Sequence, residues 1–166
     1  MEARQLKCAF TGHRENKLAP DWSEDSNSCR ELKQLIFDAV ENVYQSGVYY
    51  FICGMAQGCD LYFAEAVLKL AKEHPDIVLE AAIPYAGQAD HWHFDVRRRY
   101  EDILSHCHKR TVLQQHYSRD CMMRRNRYMV DSSSVLIAVY NGSPGGTRNT
   151  MLYAMRQGLE IIEIEI

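Results

Sequence analysis

The sequence predicts an α/β protein, a three-layer sandwich with a mostly parallel sheet and helices on both faces. Three observations carry that expectation. Short apolar runs alternate with stretches of helical periodicity along the chain. Two of those runs empty into glycine-rich loops that open helices: Tyr49 to Cys53 into Gly54-Met55-Ala56-Gln57-Gly58-Cys59-Asp60, and Val135 to Tyr140 into Asn141-Gly142-Ser143-Pro144-Gly145-Gly146-Thr147. The chain has 166 residues, 46% of them hydrophobic, enough to bury a full core without disulfides or metal, so residues 1–166 read as one domain.

Taken in order, Lys7 to Thr11 is a short strand. After the polar loop Asn16 to Ser28, the residues Leu32, Leu35, Ile36, Ala39, Val40, Val43 and Tyr44 fall on one helical stripe that stops at Gly47. Val48 to Cys53 is the second strand. The helix that follows turns Leu61, Ala64, Val67, Leu68 and Ala71 inward and ends at His74-Pro75. Ile77 to Pro84 forms a third strand, and Trp92, Val96, Tyr100, Ile103, Leu104 and Cys107 suit a third helix. Thr111 to Leu113 is a short strand, and Met122, Met123, Asn126, Met129 and Val130 mark another helix. Ser134 to Tyr140 reads as the central buried strand, Thr147 to Gln157 as the last helix. Gly158 then releases the chain into Leu159 to Ile166, where isoleucines alternate with glutamates as on a strand with one wetted face.

In such sheets the loops leaving the carboxyl ends of the strands gather along one edge, and ligands bind there, where the strand order reverses. Thr11 to Arg14, Gly54 to Asp60, Pro84 to Gln88 and Asn141 to Thr147 all leave strands in that direction and are expected to converge. Glycine lets backbone approach a ligand, and free N–H groups in a first helical turn favour an anion, so both glycine-rich loops read as phosphate cradles; the alternative is that both are tight turns capping helices. Neither has the Gly-Lys-Ser/Thr ending of a P-loop. Thr11-Gly12-His13-Arg14 lacks the three spaced glycines of a dinucleotide fingerprint.

Charge is uneven. From Arg97 to Arg127 nine basic residues face three acidic ones, a local +6 within a chain of net −3, which points to an anionic ligand or a solvated helix face. Six cysteines without short paired spacing, together with the polar start Met1-Glu2-Ala3-Arg4-Gln5, fit free thiols in the cytoplasm. No apolar run nears the ~20 residues that cross a bilayer, so no membrane role is expected. His91-x-His93 and His106-Cys107-His108 have no companion pair at zinc spacing, and no metal is expected.

At Phe10-Thr11-Gly12-His13-Arg14, Gly54-Met55-Ala56-Gln57-Gly58-Cys59-Asp60, Arg125-Asn126-Arg127 and Pro144-Gly145-Gly146-Thr147 the chain resembles the YpsA-type family of the SLOG superfamily. That superfamily also holds the DNA-processing protein DprA and the "lonely guy" phosphoribohydrolases. The resemblance implies a Rossmann-like fold and a nucleotide or nucleic-acid pocket, with Gly58-Cys59-Asp60 and Arg125-Asn126-Arg127 at positions matching DprA-like motifs. The phosphoribohydrolases share Pro144-Gly145-Gly146, but their motif then reaches a glutamate, whereas here Thr147-Arg148-Asn149-Thr150-Met151-Leu152 carries no carboxylate. Glycosidic cleavage needs a positioned acid and base. Asp60 is therefore the candidate to substitute, and enzymatic activity is left open.

The expected ligand is a nucleotide or nucleotide-derived small molecule, sensed or hydrolysed; the alternative is a DprA-like single strand of nucleic acid. Gly12 and His13 line the first loop, and Arg14 offers a planar fork for phosphate. Gly54, Gly58, Gly145 and Gly146 offer backbone donors and Thr147 a hydroxyl; Met55, Ala56 and Asn141, in the same loops, are further candidate ligand-binding residues. Asp60 either receives ribose hydroxyls or caps its helix. Arg125 and Asn126 either reach the crevice, guide a nucleic-acid backbone or join a surface ion-pair network. Tyr85, with Gln88 and Trp92, supplies a wall for a base, although Trp92 also fits core packing. Cys53 and Cys59 are either oxidation-sensitive or buried and inert. No cofactor is specified, and self-association through the last strand or the helices is allowed.

Overall fold

The computed structural model describes residues 7–19 and 22–166. The polar stretch Met1 to Gln5 lies outside the described residues. Six strands, β1 (Lys7–Gly12), β2 (Tyr50–Cys53), β3 (Val78–Ile83), β4 (Lys109–Val112), β5 (Val135–Tyr140) and β6 (Glu160–Glu165), form one sheet in the order β4-β3-β2-β1-β5-β6. Every neighbouring pair is parallel. The helices are α1 (Asn27–Gln45), α2 (Cys59–Ala71), α3 (Phe94–His106), α4 (Cys121–Asp131) and α5 (Gly146–Arg156). The Rossmann-like reading is therefore correct, and each strand and helix lies within a few residues of its expected place. The polar loop after β1 additionally holds a 3-10 turn, Glu15–Lys17, and Trp92 precedes α3 instead of opening it.

Chain direction explains the layers. From β1 to β4 the path steps one way across the sheet; from β4 to β5 it jumps back past β1 and then steps the other way. Right-handed crossovers in opposite directions place their helices on opposite faces. Accordingly α1, α2 and α3 cover one face and α4 and α5 the other. The pleat sorts the strand residues between them. Phe10, Phe51, Leu79 and Ile137 face the first layer, while Ala9, Ile52, Ala82 and Leu136 face the second. Phe63 of α2 stacks on Phe10, with ring centroids 4.5 Å apart.

On the α4–α5 face, β3 carries the fully buried Glu80. Its carboxylate accepts hydrogen bonds from the hydroxyls of Tyr50, Tyr128 (2.5 Å) and Thr111 (3.1 Å). This joins β2, β3, β4 and α4 through a buried, fully hydrogen-bonded carboxyl group, which low dielectric makes costly to disturb. The reversal of strand order falls between β1 and β5, so their carboxyl ends define the crevice.

Candidate functional site

A cleft of about 360 Å³ opens at that point. The loop after β1 contributes Gly12, His13, Arg14, Asn16 and Lys17; Ala56 and Asp60 come from the loop into α2, Arg125 and Asn126 from α4, and Gly146 and Thr147 from the start of α5. Nine of the expected site residues thus meet in one place.

The loop after β5 leaves the helix that follows it open at its start. Gly145 has φ +144°, a conformation side chains rarely adopt, and no side chain caps α5 behind it. Gly146 and Thr147, in the first turn of α5, border the cleft. A helix start without a side-chain cap leaves N–H groups and the positive end of the helix dipole for an anion. Arg14, exposed, borders the same cleft. Lys17 reaches the loop from the other side, its Nζ donating to the Pro144 carbonyl at 3.5 Å.

The loop after β2 differs from its expected role. Three of its backbone donors are already used: Ala56 N–H on Asp60 Oδ2 (2.9 Å), Cys59 N–H on the His13 carbonyl (3.2 Å) and Met55 N–H on Cys53 Sγ (3.4 Å). Its glycines are spent on packing. A methyl group at Gly58 would lie 2.9 Å from Glu15 N, and one at Gly54 would lie 2.6 Å from Arg125 Nη1. Met55 is fully buried with φ +58°, a strained conformation for a residue with a side chain. Gln88 Nε2 donates to the Gly54 and Met55 carbonyls and holds that turn. The loop is a hydrogen-bonded, closely packed shelf that carries Ala56 and Asp60.

Arg125 is buried beneath the cleft. Its Nη1 donates to the Gly54 carbonyl and its Nε to Asn126 Oδ1 at 2.8 Å. A surface ion-pair role is thereby replaced by a fixed positive charge under the site. Asp60 is also buried, and it bonds back to Ala56 instead of capping α2. Burial raises its pKa, while Arg125, the Ala56 N–H and Arg14 oppose the rise. His13 Nε2 accepts the Asn141 N–H at 3.1 Å, so its neutral form carries the proton on Nδ1 and offers a donor. Burial, and then Lys17, lowers the His13 pKa.

Asn141 ties the loops together, donating from Nδ2 to the Lys17 carbonyl at 2.9 Å and accepting from Ser143. The aromatic wall is not formed here. Tyr85 packs edge-on against Tyr117 with centroids 5.6 Å apart, Trp92 packs on Tyr100, and neither borders the cleft. Cys53 and Cys59 are buried thiols with pKa values pushed up by desolvation, so the inert alternative describes them. Among the described residues no group of three His, Cys, Asp or Glu side chains is placed to hold a metal ion, and no helix is long and apolar enough to cross a membrane.

Lys17 escaped the sequence reading because nothing local marks it. Arg125 left a signal: three residues after Met122 and four before Met129, it occupies the apolar stripe of its helix.

The family model described as the YspA SLOG family matches residues 8–165. The uncharacterised SPbeta prophage-derived protein YoqJ of Bacillus subtilis (strain 168) is 30% identical over 139 residues, 76% of this chain and 81% of that protein. A UPF0398 protein of Bacillus cereus (strain B4264) is 26% identical over 153 residues, 90% of this chain and 83% of its own length. Among solved structures, DprA from Streptococcus pneumoniae superposes with a TM-score of 0.64 at 16% identity, over 97% of this chain and 50% of that one. DprA from Helicobacter pylori, described in terms of its single-stranded DNA binding mode, gives a TM-score of 0.64 at 15% identity, over 96% of this chain and 65% of that one. These two likenesses establish the fold, and the chain corresponds to only part of each DprA.

Proposed function

The chain belongs to the YspA SLOG family, and from that premise we propose that it binds a nucleotide or nucleotide-derived small molecule at the carboxyl edge of the sheet, as a sensing module. The observation that carries this reading is the start of α5 without a side-chain cap, open to a cleft that also holds Arg14 and the buried Arg125. In this reading the phosphate sits on the N–H groups of Gly146 and Thr147 and the Thr147 hydroxyl, with Arg14 clamping it. Asp60, anchored through one oxygen to Ala56, has its other oxygen for ribose hydroxyls, and Arg125 offsets its charge.

Sensing is favoured over hydrolysis because, among the described residues, Asp60 is the only carboxylate lining the cleft. Glycosidic cleavage by the usual route takes two carboxyl groups. The likeness to DprA supports a single strand of nucleic acid as the second ligand class. Six free, mostly buried thiols suit the cytoplasm.

A thermal-shift screen of nucleoside mono-, di- and triphosphates and a single-stranded oligonucleotide, at low and high salt, tests the proposal. A salt-tolerant shift with a small nucleotide, lost in Gly146→Asp, is the expected result. A shift with the oligonucleotide alone that vanishes at high salt replaces the reading with the polymer.

A further inference from the structure

Beside the cleft, α4 and α5 enclose a groove of about 480 Å³. The two are continuous, since Met122, Asn126 and Gly146 border both. The groove has three cationic side chains, Arg119, Arg127 and Arg156, and no acidic one among its lining residues. Several other charges of the basic segment are answered by carboxylates: Arg97 pairs with Glu101 and Asp90, Arg99 with Glu65 and Glu24, and Arg124 with Asp120. Arg127 instead lies over the Tyr153 ring, 5.1 Å from its centroid. Met123 and Leu152 supply exposed apolar surface within the same groove.

Resting on the cleft reading above, we propose that this groove is a second subsite, for the next phosphate-linked nucleoside of the same ligand, so that the full ligand has at least two nucleoside units joined through phosphate. The join at Asn126 and Gly146 sits beside the phosphate cradle, so a chain leaving the cradle enters the groove at once. Arginines meet its phosphate, and the Met123 and Leu152 surface accepts a base. A volume of this size is ordinary for one small-molecule moiety. A second copy of the protein docked here about a twofold axis would set the same three arginines against themselves, which like-charge repulsion disfavours.

Titration of the full chain with adenosine monophosphate, phosphorylated diadenylate and a longer oligoadenylate tests the subsite. Diadenylate is expected to bind roughly tenfold tighter than the monophosphate, as for one added charge-assisted contact. Arg127→Gln/Arg156→Gln removes that gain and leaves monophosphate affinity unchanged, while the Arg→Lys pair keeps part of it; an unaltered melting temperature establishes that both variants fold. Further gain with oligoadenylate, with a salt slope that flattens by about 0.7 per lost phosphate contact, identifies a strand as the source. A plateau at diadenylate identifies a dinucleotide.

Equal affinity for mono- and diadenylate, or a gain that survives the double glutamine variant, overturns the subsite. Monophosphate binding that is indifferent to Arg14→Gln overturns the cleft reading instead, and no binding by any probe overturns both. A concentration-dependent dimer through this groove that diadenylate does not dissociate also overturns the subsite.

Discussion

Gly58 is where the account of the site is most exposed to test, because there two loops are required to touch. Its backbone has φ +87° and ψ −127°, outside the regions open to residues with a side chain. Forcing alanine into such a conformation costs about 1–3 kcal/mol. The added methyl group would also lie 2.9 Å from Glu15 N and 3.0 Å from both Arg14 Cα and the His13 carbonyl, all of them backbone atoms that no rotamer change can move. Overpacking of that kind adds about 1–3 kcal/mol. Gly58→Ala is thus expected to cost about 2–6 kcal/mol.

Gly158 supplies the control. It also has positive φ, +79°, but nothing lies within 4 Å of an added methyl group, so Gly158→Ala pays only for conformation, about 1–2 kcal/mol. Chemical denaturation of both variants reads the difference. In melting temperature, where 1 kcal/mol is about 2–4 °C at this size, Gly58→Ala falls by roughly 10 °C and Gly158→Ala by a few degrees. Equal losses in the two variants would refute the contact between the β1 and β2 loops, and with it the positioning of Arg14.

Three other predictions concern buried groups. Burial raises the Asp60 pKa above 3.8, so the folded state holds that proton longer than the unfolded chain and stability is lost as pH climbs from 3.8 through the raised value. Asp60→Asn keeps an acceptor for Ala56, lacks that loss, and near neutrality melts no lower than wild type while binding nucleotide more weakly; a clearly lower melting temperature with unchanged affinity contradicts this. The His13 pKa is lowered from 6.5, so the unfolded chain takes the proton first and stability falls as pH drops through 6.5 towards the lowered value. His13→Gln, which can still accept from Asn141, should flatten that part of the melting-temperature profile. Glu80→Gln puts an amide NH₂ where hydroxyls donate, and a loss of about 1–3 kcal/mol in urea denaturation is expected.

The sheet was legible because its residues obey two periods. Phe51 and Cys53 face one layer and Ile52 the other, while Leu32, Ile36, Ala39, Val40 and Val43 keep one side of α1 buried. The edge that carries the cleft followed from chain alternation. The division of labour between the two glycine loops was hidden, since both follow a strand and open a helix. What separates them is distant in sequence: Gly58 meets the backbone of Arg14 and Glu15, and Gly54 makes room for Arg125. Tyr85 misled for a similar reason. It leaves β3 on the expected edge, but its partner is Tyr117, brought in by the segment after β4.

Phosphate recognition in the cleft is tested by a calorimetric titration of wild type and Arg14→Gln with a nucleoside monophosphate and with the same nucleoside lacking phosphate. A phosphate held by Arg14 and the start of α5 predicts one-to-one binding of the monophosphate that weakens roughly tenfold or more in the variant, with the nucleoside bound weakly and equally by both proteins. Equal monophosphate affinity in the two proteins, or nucleoside bound as tightly as nucleotide, would contradict a phosphate cradle at this site.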